Sequence, residues 1–368
     1  MKRILALDGG GVRGIFSLQI LARLEELFRD EAGRPDLVLA DVFQMIAGTS
    51  TGAIIATCLS WGMSVKEVEN LYITRSAEMF TKESWYRRYK AKYRSDALRT
   101  AFCRIFCEDE EGAVPALLGS KKLKTLLVIL MRDASTGSSW PVSNNPNALY
   151  ADPSSAECNL NIPLWQLVRA STAAPAFFAP EQIHIGPNRH LFVDGGITPF
   201  NNPVLIAVLM ATLPPYRVCW PATRHDLHVV SVGTGTALAR LPAKPADKIN
   251  VMDQFGFVVP ALLGSVAWEQ DLLCRVLGDC VHGCVLDSEV GALQEPTLLS
   301  PAEQKFTYVR YDELKKAVRL EALELPQNEV QLDDISRIPF LQEAGRTYAA
   351  EHVRLEHLYP RSWKALTP

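Results

Sequence analysis

A serine, a run of glycines and an aspartate stand in settings where their types can do chemistry together. Ser50 sits at the centre of Gly48-Thr49-Ser50-Thr51-Gly52, after the apolar run 42–47 and directly before Ala53-Ile54-Ile55-Ala56. That order reads as buried strand, tight turn and helix start, the pattern of a nucleophile elbow. Gly48 and Gly52 lack the Cβ atoms that would clash with a sharply turned backbone, so the Ser50 hydroxyl is held out where a substrate reaches it. Upstream, Asp8-Gly9-Gly10-Gly11-Val12-Arg13-Gly14 ends one apolar run and precedes a helical pattern. Successive glycine amides at a helix start form an anion-binding concavity, suited to the oxyanion of an acyl transfer or to a phosphate. Arg13 falls in the first turn of that helix, where the dipole mildly disfavours a cation, which points to a job other than helix stability. Downstream, Asp194-Gly195-Gly196 puts a carboxylate at the end of the short strand pattern 191–193, and two small residues after it let another group approach closely.

The elements around these stretches must bring them together. Residues 2–7 read as a strand, and apolar residues at helical spacing over 15–28 read as the helix after the glycine loop. Residues 124–131 form an unbroken apolar run, a third buried parallel strand. Residues 133–161, rich in Ser, Asn, Asp and Pro, read as a long loop, 163–173 as a helix, and 227–232 as a further strand ending at Gly233. A glycine loop after the first strand and an elbow serine after the second share the carboxyl edge of a parallel sheet, where open α/β folds place their sites.

The glycine loop has a second reading. Gly9, Gly11 and Gly14 spell the dinucleotide fingerprint, so a nucleotide-binding module is the alternative to a hydrolase. The acidic residue such a site needs about 20 residues on has no clear place, because Asp30, Glu31, Asp36 and Asp41 all fall in or beside the loop before the next strand. A dinucleotide site also needs no serine at its edge. A serine needs a base within hydrogen-bond reach, and the usual hydrolase order is Ser, Asp, His. The histidines after Asp194 are His225, His228, His282, His352 and His357, none of them in an evident strand-end loop. That leaves the carboxylate to act on the serine directly.

Composition narrows the class. A net charge of −3 gives no basic field, which argues against a nucleic acid polymer as partner, and 48% hydrophobic with 21% charged residues is a globular composition. The start Met1-Lys2-Arg3 leads into only a short apolar run, and the apolar stretch 255–266 is too short to span a bilayer, so the expected location is cytoplasmic, with peripheral contact at the inner membrane. Eight scattered cysteines read as free thiols. Cys280, His282 and Cys284 lack a fourth ligand, and no metal is expected. Basic residues interleaved with Trp85, Tyr86, Tyr89, Tyr93 and Phe102 over 82–104 read as a solvated helix face with aromatic packing or as an anionic membrane contact. The Pro- and Lys-containing stretch 241–247 divides a catalytic α/β portion, 1–240, from a mainly helical portion, 241–368, packed on it as a lid or regulatory element.

Taken as a set, Asp8 to Gly14, Gly48 to Gly52 and Asp194 to Gly196 resemble the three signatures of the patatin-like phospholipase family, over roughly residues 1–210. The resemblance implies a three-layer α/β/α fold, modified α/β-hydrolase-like, with a mostly parallel central sheet and here a helical C-terminal extension. It implies a Ser–Asp dyad that cleaves fatty-acyl esters of phospholipids or lysophospholipids, without metal or cofactor. Carried onto this chain, Ser50 is the nucleophile and Asp194 the base that activates it and later a water. The amides of Gly9, Gly10, Gly11 and Thr51 form the oxyanion hole, Arg13 and Gly14 take the positioning end of the loop, and Gly195 and Gly196 complete the acid motif. The implied partners are a phospholipid and, transiently, a membrane surface. Some bacterial members are held inactive until a cyclic-nucleotide signal arrives in anti-phage defence, so a cyclic-nucleotide activator is a further expectation, with residues 240–335 as the unassigned place for its gate.

Overall fold

The continuous apolar runs form the centre of one sheet in the computed structural model, which describes residues 1–79, 95–109, 113–175, 177–235, 245–286, 298–312 and 334–359. The strands are β1 Lys2–Leu7, β2 Met45–Thr49, β3 Leu126–Asp133, β4 Ser139–Ser143, β5 Glu181–Ile185, β6 Asn188–Asp194, β7 Leu227–Val232, β8 Asp279–His282 and β9 Thr307–Tyr311. Their order is β5-β6-β3-β2-β1-β7-β9-β8, with β4 also paired to β3. From β3 to β8 every neighbour is parallel, whereas β4 and β6 pair antiparallel to β3, and β5 antiparallel to β6. The helices are α1 Gly14–Ala32, α2 Leu39–Val42, α3 Thr51–Ser60, α4 Val65–Met79, α5 Ser95–Ile105, α6 Leu164–Ser171, α7 Val204–Thr212, α8 Val251–Leu277, α9 Ile338–His352 and α10 Leu355–Leu358.

Strand residues alternate between two cores, as the two-residue period of a strand requires. Leu5, Leu7, Ile46, Ile129, Val230 and Val309 face the layer built from α1, α3, α4, α6 and α9. Ile4, Ala6, Met45, Ala47, Val128 and Val229 face α7 and the Cys274 end of α8. This is the three-layer α/β/α arrangement, and its parallel centre is apolar on both sides because both sides are covered. Each fully buried aliphatic side chain in these layers contributes about 1.5–3 kcal/mol, so the sheet centre is the stable base on which the loops at its carboxyl edge stand.

Two features differ from the sequence expectation. The stretch 133–161 is not all loop, because Ser139–Ser143 returns along β3 as an antiparallel strand. Pro141 and the flanking serines and asparagines hid it, and a proline is tolerated there because an outer strand need not donate every amide. The sheet also continues past residue 240. β9, buried along its whole length, pairs with β7, and β8 follows it, so the C-terminal portion adds strands to the sheet as well as helices around it. α9 packs on α1 so closely that a Cβ at Gly345 would lie 2.8 Å from the Gln19 side chain and 3.0 Å from the Phe16 carbonyl oxygen. Of the basic, aromatic stretch, residues 82–94 lie outside the described residues. Among the described residues no helix is long and apolar enough to cross a membrane.

Candidate active site

β2 ends at Thr49, α3 begins at Thr51, and Ser50 between them takes φ 54° and ψ −123°. A non-glycine residue in such a conformation costs on the order of 1–3 kcal/mol and persists only when its surroundings over-determine it. Here they do. A Cβ at Gly48 would lie 2.2 Å from the Gly52 carbonyl oxygen, and one at Gly52 would lie 2.2 Å from that of Leu7, so the turn closes only around bare glycines and presses α3 against the end of β1. The Ser50 amide donates to Ser171 Oγ at 2.9 Å, and Ser171 Oγ donates to the Leu130 carbonyl at 2.6 Å. Thr49 Oγ1 donates to the Phe200 carbonyl at 2.6 Å. Ser171→Ala would leave the elbow amide without its acceptor; the expected cost is about 1–3 kcal/mol of unfolding free energy, read by denaturant titration, and an unchanged midpoint would contradict this role.

Asp194 reaches the same place from β6, which pairs with β3 just beyond the end of β2. β6 runs antiparallel to β3 with Asp194 opposite Met131, and a Cβ at Gly195 would meet the Leu130 carbonyl oxygen at 2.3 Å. The chain after Asp194 therefore turns in against the elbow. Ser50 Oγ donates to Asp194 Oδ2 at 2.6 Å, and the Gly196 amide donates to Oδ1 at 2.7 Å. Asp194 is 5% exposed. Burial pushes its carboxyl from an ordinary 3.8 up to about 6, against the opposing pull of the Ser50 hydroxyl, the Gly196 amide and the Arg169 charge. Arg169, buried in α6, donates to the Ala179 carbonyl at 2.8 Å and lies over the Phe178 ring.

The glycine loop stands beside both. Asp8, at the end of β1, is held by Arg310 of β9 through bonds of 2.8 and 2.6 Å, and Arg310 also donates to Ser231 Oγ and Asp312 Oδ2. Burial pushes the Asp8 carboxyl up to about 7 despite Arg310. Gly9 departs from expectation: its amide donates to the Asn201 carbonyl at 3.0 Å, so it is a tether of the loop and not an oxyanion donor in this arrangement. The amides of Gly10 and Gly11 enter a short helical turn, Gly11–Arg13, and that of Thr51 opens α3. First amides of helical segments have no carbonyl within their own helix, which leaves these three positions to receive an anion. Arg13 Nε reaches back to the Gly10 carbonyl at 3.4 Å, and Gly14 begins α1.

The five downstream histidines lie elsewhere. His228 pairs with Arg3 and Thr307 at the start of the strands, and His225 precedes it. His282 stacks on His357 at 4.4 Å and lies 6.2 Å from His352, on a strand separated from β2 by β1, β7 and β9. Among the described residues no group of three or more His, Cys, Asp or Glu is placed to hold a metal ion. An open cleft of about 550 Å³ at the opposite edge of the sheet, against Lys2, Gln44, Leu126 and Trp220, involves none of the residues above.

Sequence reasoning missed Ser171, Arg169, Asn201 and Arg310. Arg310 had a signal: a charged residue in the centre of the strand pattern Thr307-Tyr308-Val309-Arg310-Tyr311 needs a buried partner of opposite sign. Ser171 and Asn201 act through contacts across 121 and 192 residues, which no local pattern marks.

The patatin-like phospholipase profile matches residues 5–208. A cGAMP-activated phospholipase of Vibrio cholerae is 26% identical over 283 residues, 73% of this chain and 75% of that protein. One of Escherichia coli is 29% identical over 239 residues, 63% of this chain and 62% of that protein. The rat calcium-independent phospholipase A2-gamma is 30% identical over 239 residues, 63% of this chain but 28% of its own length. With the profile covering more than half of the sequence and including all three signature stretches, the chain belongs to the patatin-like phospholipase family, a family of lipid ester hydrolases.

Proposed function

We propose that this protein hydrolyses fatty-acyl esters of phospholipids or lysophospholipids through an acyl-enzyme on Ser50, with Asp194 as the base. The observation that carries the reading is the 2.6 Å bond from Ser50 Oγ to Asp194 Oδ2 at a strained elbow. Ser50 Oγ attacks the ester carbonyl carbon as its proton passes to Asp194. The carbonyl oxygen becomes an oxyanion facing the amides of Gly10, Gly11 and Thr51, where loss of one donor typically costs about 10²–10³ in rate. Collapse breaks the ester C–O bond, and the departing alkoxide takes the proton from Asp194 to leave as the alcohol. Water then attacks the acyl-enzyme as Asp194 accepts its proton, the fatty acid leaves and Ser50 recovers its hydrogen. The partners are a phospholipid and the membrane surface that presents it. A nucleotide-binding module would have no use for the Ser50–Asp194 contact, so the hydrolase reading is favoured.

The raised carboxyl sets a pH dependence. Asp194 works as a carboxylate and titrates near 6, so kcat/KM on a non-ionising ester is expected to fall about tenfold per unit below that point and to level off above it. Its contribution to stability runs the other way. A carboxyl raised from 3.8 to about 6 keeps its proton in the folded state where the unfolded chain has lost it, so this contribution is present below the unfolded value and declines as pH rises through the window. Activity rising while that contribution falls separates titration of the base from recovery after acid unfolding. A profile flat from about pH 5 to about pH 7 would contradict the assignment.

A second reading adds control of the same site. Two bacterial relatives are cGAMP-activated phospholipases, which supports a cyclic-nucleotide activator here, as in anti-phage defence. Addition of cGAMP is then expected to raise lipid hydrolysis from a low basal rate; a rate that is the same with and without it, across micromolar concentrations, would set this reading aside while leaving the hydrolase intact.

A further inference from the structure

The two halves of the oxyanion site come from different elements. Gly10 and Gly11 follow β1, and Thr51 opens α3. One side chain touches both halves. Tyr72, on α4 and 3% exposed, donates its hydroxyl proton to the Gly11 carbonyl, and the same oxygen lies 2.8 Å from Thr51 Oγ1. A phenol has a single proton and the Gly11 carbonyl has none, so the contact with Gly11 uses it, and the Thr51 hydroxyl must donate to Tyr72. The direction is therefore set: Thr51 to Tyr72 to the Gly11 carbonyl. The space around this relay is closed, since a Cβ at Gly14 would sit 2.6 Å from Thr51 Oγ1 and 3.2 Å from the Tyr72 hydroxyl.

The relay is braced from behind. Glu69, nearly one turn before Tyr72 on α4, accepts from Gln19 of α1 at 2.7 Å and from Gln342 of α9 at 2.8 Å. α4 is thus fixed by the helix that follows the glycine loop and by a helix of the C-terminal portion. Burial pushes the Tyr72 phenol well above its ordinary range, with only partial relief from Thr51, so it stays a donor throughout the working range of the enzyme.

We propose that Tyr72 is a positioning residue that sets the separation between the Gly11 and Thr51 halves of the oxyanion site through its one hydroxyl. The inference rests on the hydrolase reading of Ser50 and Asp194 and goes beyond it to a residue that touches neither the substrate nor the reacting atoms. Misplacing donors, as opposed to deleting them, removes part of the 10²–10³ that one oxyanion donor typically supplies.

The test uses Tyr72→Phe, which keeps the ring and removes the hydroxyl, and Thr51→Val, which keeps the shape and removes the other end of the relay. Each is expected to lower kcat on a fatty-acyl ester by about tenfold with KM within about twofold, because the loss is felt in the transition state. The double variant is expected to be no worse than about the worse single variant, since either change breaks the same relay. A purely structural role would move the unfolding midpoint without this split or this coupling. Tyr72→Phe with full kcat, losses that multiply in the double variant, or a change in KM alone would overturn the inference. If Tyr72→Phe does not fold, Thr51→Val decides: a full kcat there overturns the relay, and a selective tenfold loss supports it. The outcome is separable from the dyad. Folded Ser50→Ala that keeps wild-type activity removes the hydrolase reading itself, whereas an inactive Ser50→Ala beside a fully active Tyr72→Phe removes only this inference.

Discussion

Ser50→Ala is expected to abolish fatty-acyl ester hydrolysis, with a loss of about 10⁵ or more in kcat, comparable to nucleophile deletions in other serine hydrolases. The expectation follows from what the side chain alone supplies. In the proposed mechanism its oxygen is the atom that bonds to the acyl group, and without it the surrounding amides have no enzyme-bound oxyanion to stabilise. The fold has reason to survive. The amide of residue 50 still donates to Ser171, the glycine contacts on either side are untouched, and alanine meets the same backbone conformation that serine already tolerates. The cost is the hydrogen bond to Asp194, about 1.5–3 kcal/mol for a bond to a charged group. A modest fall in the unfolding midpoint beside a total loss of turnover is the predicted pattern. Circular dichroism and calorimetry on the same preparation check it.

Asp194→Asn is expected to cost about 10⁴ in kcat, the scale seen when an isosteric amide replaces a buried catalytic carboxylate. The amide has the same shape, and its oxygen can go on accepting from the Gly196 amide as Oδ1 does now. Its nitrogen would then face Ser50 Oγ as a second donor where the serine proton needs an acceptor. The nucleophile is therefore present but inactivated. The variant should also lose the rise of activity near pH 6 that the proposed mechanism assigns to this carboxyl. More than about a tenth of wild-type turnover, or an unchanged pH profile, would mean that another group takes the proton. Arg169 sharpens the point, because its charge lies close enough to favour the Asp194 carboxylate, and the neutral amide would have no such interaction.

Much of this site was legible in the sequence because its parts are local. The elbow is written in five consecutive residues, the glycine loop in seven and the acid motif in three, and the parallel strand order then puts the loop and the elbow at one edge. What stayed hidden depends on contacts between distant segments. Nothing near Gly9 indicates that its amide is taken by the Asn201 carbonyl. The bond between Ser50 and Ser171 joins an elbow to a helix end that reads, by itself, as an ordinary apolar segment. The inward hydroxyl of Tyr72 depends on the packing of α4 against α1 and α3, which no local pattern marks. The place of β9 beside β7, with Arg310 bonded to Asp8, is a property of the whole sheet. Strand β4 was obscured by Pro141 and its polar flanks, since an outer strand with one exposed side carries little of the apolar pattern that marks a buried one.

The most direct measurement is mass spectrometry of the lipids left after incubation with mixed phospholipid vesicles, comparing the wild type with folded Ser50→Ala, with and without cGAMP. Free fatty acid and the matching deacylated lipid are expected from the wild type in at least one of the two conditions, and from Ser50→Ala in neither. Fatty acid released by folded Ser50→Ala at the wild-type rate, or no acyl product from the wild type in either condition, would contradict the proposed hydrolysis through Ser50.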